Sequence, residues 1–182
     1  MKKICFILSL AFFTACNSGS DTKVDAMKTD STASTSAMRD INSPFPIGYS
    51  SKFAVDDPKN AETLLALWKD WDNGDLLAHK DYFADSVRMY FFDGSSAVGP
   101  RDSVLAGAQA YRSTLAKSEA RVDAIMATKS IDRNEHWALI WGMEKDTDKK
   151  GKVDSFQLQE TWRFSSAGKA ELMYQFRAKP TK

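Results

Sequence analysis

The sequence predicts an α+β domain in which three helices pack on one face of a strongly curved, mainly antiparallel sheet. Three observations predict it. Between about residues 58 and 115 apolar residues recur largely with helical spacing, beyond that the period changes to two and stays there, and the later runs are joined by connections short enough for hairpins.

The domain opens at Pro44, where Phe45, Ile47, Tyr49, Phe53 and Val55 replace polar text with residues that can be buried. Asp57-Pro58 starts the first helix, since Asp57 can accept from the free N–H groups and proline suits the first turn. Leu64, Leu65, Trp68 and Trp71 then share a helical face, and Asn73-Gly74 ends it. Asp75 is expected to cap a second short helix running to about Ala84, with Leu76, His79, Lys80 and Phe83 on one face. The apolar run Val87 to Phe92 reads as a strand covered on both faces. Gly99-Pro100 opens a third helix with Val104, Leu105, Ala108, Tyr111 and Leu115 inward. Four strands follow, over about 119–131, 136–146, 153–164 and 170–178, linked through Asp132 to Glu135, a Lys/Asp-rich stretch ending in Gly151, and Ser165 to Gly168.

Ahead of the domain, Lys2 and Lys3 precede an apolar run from Ile4 to Phe13, too short to span a bilayer comfortably and built like a secretory signal. Phe13-Thr14-Ala15-Cys16 resembles the bacterial lipobox, with Phe13 in the place usually held by Leu. The resemblance implies a signal peptide over residues 1–15, lipidation of Cys16, and an exported lipoprotein held in the cell envelope. An ordinary signal cut near Ala15 would instead leave Cys16 as a free thiol. The only other cysteine, Cys5, lies in the segment to be removed, so no disulfide forms within one mature chain. Residues 16–43 are Ser-, Thr-, Asp- and Ala-rich without aromatics, and bury too little to offset the entropy of ordering. They read as a tether of about 27 residues with a reach on the order of 30 Å. Residues 44–182 are then one domain.

The 182 residues carry 25 Lys and Arg against 24 Asp and Glu. No basic stripe stands out, which argues against nucleic-acid binding. Lys149, Lys150 and Lys152 are flanked by Asp146, Asp148 and Asp154, the pattern of a solvated hairpin tip.

The element order, with Trp71-Asp72-Asn73-Gly74-Asp75 after the first helix, Tyr82 to Val87 leading into a strand, and Thr161-Trp162-Arg163-Phe164 followed by Gly168-Lys169, resembles the NTF2-like superfamily, in particular its SnoaL-like and ketosteroid-isomerase-like members. The resemblance covers roughly residues 56 to 178. It implies a cone-shaped, cystatin-like fold whose wide end opens into an apolar pocket, and common dimerisation through the outer face of the sheet. Ala170 departs from the apolar residue, often Ile, that usually follows Gly-Lys. The pocket serves lyases, isomerases, epoxide hydrolases, cyclases and many proteins without chemistry, so function has to be argued from the polar residues that point inward.

Strand alternation places Phe156, Leu158, Glu160, Trp162 and Phe164 on one face, which makes Glu160 the one carboxylate in an apolar row. It is the candidate proton-transfer residue. Pairing with Arg88, Arg121 or Arg177, or a watery position at the rim, is the structural alternative. Trp137, Leu139, Trp141 and Met143 share a face of their strand, as do Leu172, Tyr174 and Phe176 of theirs. Tyr90, Trp141, Trp162 and Tyr174 are the candidates to line a pocket, and Ile125, Ile140 and Met173 are assigned to the outer rows. His79, His136 and Asp85 read as structural. No metal-ligand spacing, P-loop, dinucleotide fingerprint or nucleophile elbow is present, and neither a metal nor a cofactor is expected.

Three functional readings follow: a tethered module that binds a small apolar ligand or partner, a lyase- or isomerase-type enzyme using Glu160, and a dimeric assembly module with no working pocket. A homodimer is expected in each. For the tether, Cys16→Ser should shift the protein from the detergent phase to the aqueous phase on Triton X-114 partitioning. A wild-type protein already in the aqueous phase, with another N-terminal residue by mass spectrometry, would contradict lipidation.

Overall fold

The structure, a computed structural model, describes residues 41–179. The expected signal peptide, Cys16 and the tether up to residue 40 lie outside the described residues, within which no helix is long and apolar enough to cross a membrane.

Strand β1 (Phe53–Val55) leads into helix α1 (Lys59–Asn73). Asp57 accepts from the Lys59 N–H at 2.9 Å, which secures the helix start. At the other end Gly74 adopts φ 78°, and the N–H groups of Gly74 and Asp75 return to the carbonyls of Trp71 and Asp70. A left-handed residue is needed for that closure, and glycine takes it without a Cβ penalty. Arg112, buried in α2 (Arg101–Arg112), donates to the Trp71 and Asp72 carbonyls, so the second helix caps the first.

The expected helix over residues 75–84 is not formed. Those residues make successive i to i+3 turns and a single 3₁₀ turn, Lys80–Tyr82, before strand β2 (Phe83–Tyr90) begins. A ten-residue segment cannot cover the cost of helix nucleation unless packing supports one face. Here Leu77 faces solvent, while Gln109 and Asp70 hold Leu76 and His79 from outside the segment. Among the described residues two α-helices therefore pack on the sheet instead of three.

After β2 come β3 (Ser96–Pro100), α2, β4 (Leu115–Ser130), β5 (Glu135–Asp148), β6 (Val153–Phe164) and β7 (Ala170–Ala178). The sheet order is β1-β4-β5-β6-β7-β2-β3, antiparallel throughout except between β2 and β7. The last two strands match their expected bounds. β4 starts earlier than expected, so Leu115 opens a strand instead of closing a helix, and Tyr111 is exposed. The short strands β1 and β3 carry no alternation long enough to read.

The sheet bends at a bulge in β4 between Val122 and Ala124. There the Arg121 carbonyl presses on Gly142 of β5, and any Cβ at that position would collide with it. Leu64, Leu105, Ile140 and Val87 are fully buried between helices and sheet.

One assignment is reversed. Ile140 and Met173 belong to the core, and Ile125 packs against it, whereas Trp141, Tyr174 and Phe176 face outward. The inner row of β5 is Ala138, Ile140, Gly142, Glu144 and Asp146, smaller and more polar than its outer row. Apolar content alone therefore selects the wrong face.

Candidate functional site

Helices and sheet enclose a cavity of about 400 Å³. Its walls are apolar and strongly aromatic, with Trp68 and Trp71 from α1, Phe91 and Phe92 after β2, and Phe156 and Trp162 from β6. Four carboxyl side chains reach it from the buried surface: Asp70, Glu144, Asp146 and Glu160.

Glu160 is only 6% exposed and lies on the cavity side of β6, as alternation predicts. Its Oε2 accepts from the indole N–H groups of Trp68 and Trp162, both at 2.8 Å, and its Oε1 accepts from the Gln175 side-chain amide at 2.9 Å. None of the three arginines weighed as partners pairs with it: Arg121 binds Asp123 and Arg177 binds Asp154, while Arg88 lies on an outward position of β2. Among the described residues no Lys or Arg forms a salt bridge with Glu160, Glu144 or Asp146. Glu160 is neither a rim group nor a structural ion pair, but an anchor met by neutral donors.

Glu144 is built the same way one helical turn along α1. The Trp71 indole donates to its Oε1 at 2.9 Å, and Ser118 lies within reach at 3.5 Å. Burial pushes its carboxyl up to about 8, helped by the charge of Asp146 and a hydrogen bond to it and by the charge of Glu160, and opposed by the Trp71 donor. Asp146, 7% exposed, follows two residues later on the same face, and its Oδ1 has no hydrogen-bond partner. Asp70 is held at 2.8 Å by His79, which stacks on Tyr82 and is partly exposed. His136 pairs with Asp56 at 2.6 Å, away from the cavity.

Of the four expected pocket residues, Trp162 alone lines this cavity. Tyr90 and Tyr174 stack on each other on the outer face, ring centroids 5.3 Å apart, and Trp141 borders a shallow outer groove. Sequence reasoning passed over Asp70, Glu144 and Asp146. A signal for the last two lay in the β5–β6 hairpin: Glu144 pairs with Phe156 and Ile140 with Glu160, so the inward parity of β6 fixes that of β5. Among the described residues no three His, Cys, Asp or Glu side chains are placed to hold a metal ion.

No protein-family model matches the chain, and no curated protein matches its sequence. Its structure resembles an NTF2-like protein of unknown function from Burkholderia pseudomallei, 18% identical with a TM-score of 0.53 over 66% of this chain and 91% of that one. A SnoaL-like polyketide cyclase from Shewanella denitrificans is 12% identical with a TM-score of 0.56, covering 67% and 92%. SalBIII, an epoxide hydrolase/cyclase-like enzyme, is 13% identical with a TM-score of 0.56, covering 68% and 93%. At these identities the likeness establishes the NTF2-like fold.

The raised Glu144 carboxyl makes stability depend on pH. The folded state keeps its proton up to about 8, while the unfolded chain loses it near 4.5, so stability falls as pH rises through that window and levels off above it. The full effect is at most about 5 kcal/mol. Glu144→Gln, which keeps the shape and removes the titration, should flatten this slope and raise the melting temperature at pH 8.5 relative to wild type, read by circular dichroism. Parallel curves for the two proteins would show that Glu144 ionises freely.

Proposed function

We propose that the domain is a small-molecule-binding module whose ligand enters the cone, held at a membrane surface through lipid on Cys16. The supporting observation is the cavity itself: about 400 Å³, aromatic walls, and a few convergent polar groups, one of which, Asp146 Oδ1, has no partner. The fold also serves an enzyme named for pyran ring formation and a protein named as a polyketide cyclase, so a pocket of this kind supports either binding or turnover.

A second reading, a lyase- or isomerase-type reaction, draws on one further observation. Glu144 holds a proton near neutrality beside the carboxylate of Asp146, the arrangement of a general acid next to a base. In that reading proton transfer belongs to the Glu144–Asp146 pair, because the oxygens of Glu160 are already committed to three donors. The outward row of Tyr90, Trp141, Tyr174 and Phe176 supports pairing of two copies through the sheet.

The pocket is tested with the uncharged dye N-phenyl-1-naphthylamine. Its fluorescence should rise on mixing with the protein, saturate at one dye per chain, and fail to rise with Ala108→Trp, which fills the cavity from α2. Saturating binding that survives Ala108→Trp would place the dye elsewhere, and no rise in the wild type would contradict the reading.

A further inference from the structure

We infer that the cavity takes an organic cation, an alkyl- or arylalkylammonium group set against Asp146 with its hydrocarbon part on the aromatic wall. The inference rests on the pocket reading above and adds the charge of the ligand.

The first observation is a buried acceptor without a donor. Asp146 is 7% exposed, lines the cavity, and leaves Oδ1 unpaired among the described residues. A buried carboxylate oxygen without a donor is costly, and a ligand donor or positive charge relieves that cost. The second is that, among the described residues, no Lys or Arg forms a salt bridge with Glu144, Asp146 or Glu160. Trp68, Trp71, Trp162, Gln175 and Ser118 supply neutral N–H or O–H groups to Glu144 and Glu160, which satisfy hydrogen bonding without cancelling charge. An anionic ligand would meet the buried carboxyl groups at close range in a low-dielectric space.

The third is the wall. Arg177 lines the cavity mouth, paired outward with Asp154, and its guanidinium lies over the rings of Phe156 and Phe92. The wall thus already accommodates a cation on its aromatic faces. The indoles of Trp71 and Trp162 also line the cavity beside the carboxyl groups, and aromatic rings with carboxyl groups are the combination that recognises substituted ammonium groups.

The charged and titratable groups around Glu144 and Asp146 are Asp70 on α1 with His79 against it, Asp93 after β2, Tyr111 and Arg112 on α2, Glu160 on β6 and Arg177 on β7. Arg112 is bound to the Trp71 and Asp72 carbonyls, and Arg177 to Asp154. In the empty cavity the proton on Glu144 reduces the buried negative charge. A bound cation performs the same task, so binding expels that proton and tightens as pH rises toward about 8.

The test is a titration of tryptophan fluorescence in the full-length protein with three probes: benzyltrimethylammonium, its uncharged carbon isostere neopentylbenzene, and the anion 3-phenylpropionate. At pH 8.5 the cation should bind at least tenfold more tightly than either comparator, and its affinity should rise at least fivefold between pH 6 and 8.5. Asp146→Asn should remove the cation preference and leave the affinity for neopentylbenzene within twofold. If that variant does not fold by circular dichroism, Glu144→Gln serves instead and should abolish the pH dependence of cation binding. Neopentylbenzene or 3-phenylpropionate binding as tightly as the cation would overturn the cation reading and leave the pocket standing. So would an unchanged cation preference in Asp146→Asn. Failure of all three probes to bind would overturn both.

Discussion

Two indole N–H groups one turn apart on α1 reach across to two carboxyl groups on the sheet, Trp68 to Glu160 and Trp71 to Glu144, and this cross-brace fixes where the helix lies. The bond to Glu160 is buried and the bond to the protonated Glu144 partly buried, and a hydrogen bond of this kind is worth roughly 0.5 to 1.5 kcal/mol, more where the acceptor is charged. Because β5 and β6 present the acceptors, the helix, which lies against β4 and β5, is tied to both strands. Arg112 and the left-handed Gly74 secure the end of the same helix.

The brace has an electrostatic consequence. Indoles donate a hydrogen bond but no charge, so the acidic groups gathered by β5 and β6 form no salt bridge with Lys or Arg among the described residues. The protein's response is to keep a proton on Glu144, beside an Asp146 whose Oδ1 is buried and unpaired. The same device serves stability and ligand preference: acid that stabilises the fold by suppressing charge is acid that a bound cation can displace.

Much of the fold was legible because β6 and β7 alternate cleanly and their turns carry Gly151 and Gly168, so both strands match their expected bounds. The inward position of Glu160 followed from the same alternation. What misled was the sheet's outer face, where Trp141, Tyr174 and Phe176 are more hydrophobic than their inward neighbours Gly142, Gln175 and Arg177. On β5 and β7 the inward rows carry small or polar residues where a filled core would have large apolar ones, and hydrophobic contrast inverts there. Glu144 and Asp146 were hidden by that inversion, although the hairpin register with Phe156 carried the needed parity. Asp70 was hidden because its burial depends on His79, brought back by turns where a helix was expected.

The central claim is that a buried Glu144 holds a proton at neutral pH while hydrogen-bonded to the Trp71 indole, and carboxyl-carbon NMR measures it most directly. In protein labelled with ¹³C and ¹⁵N, the Glu144 carboxyl carbon should titrate with a midpoint near about 8, and the Trp71 indole resonance should move in step with it. A Glu144 carbon that titrates near 4.5, the ordinary value for this side chain, with an indole resonance that stays flat through neutrality, would contradict the account.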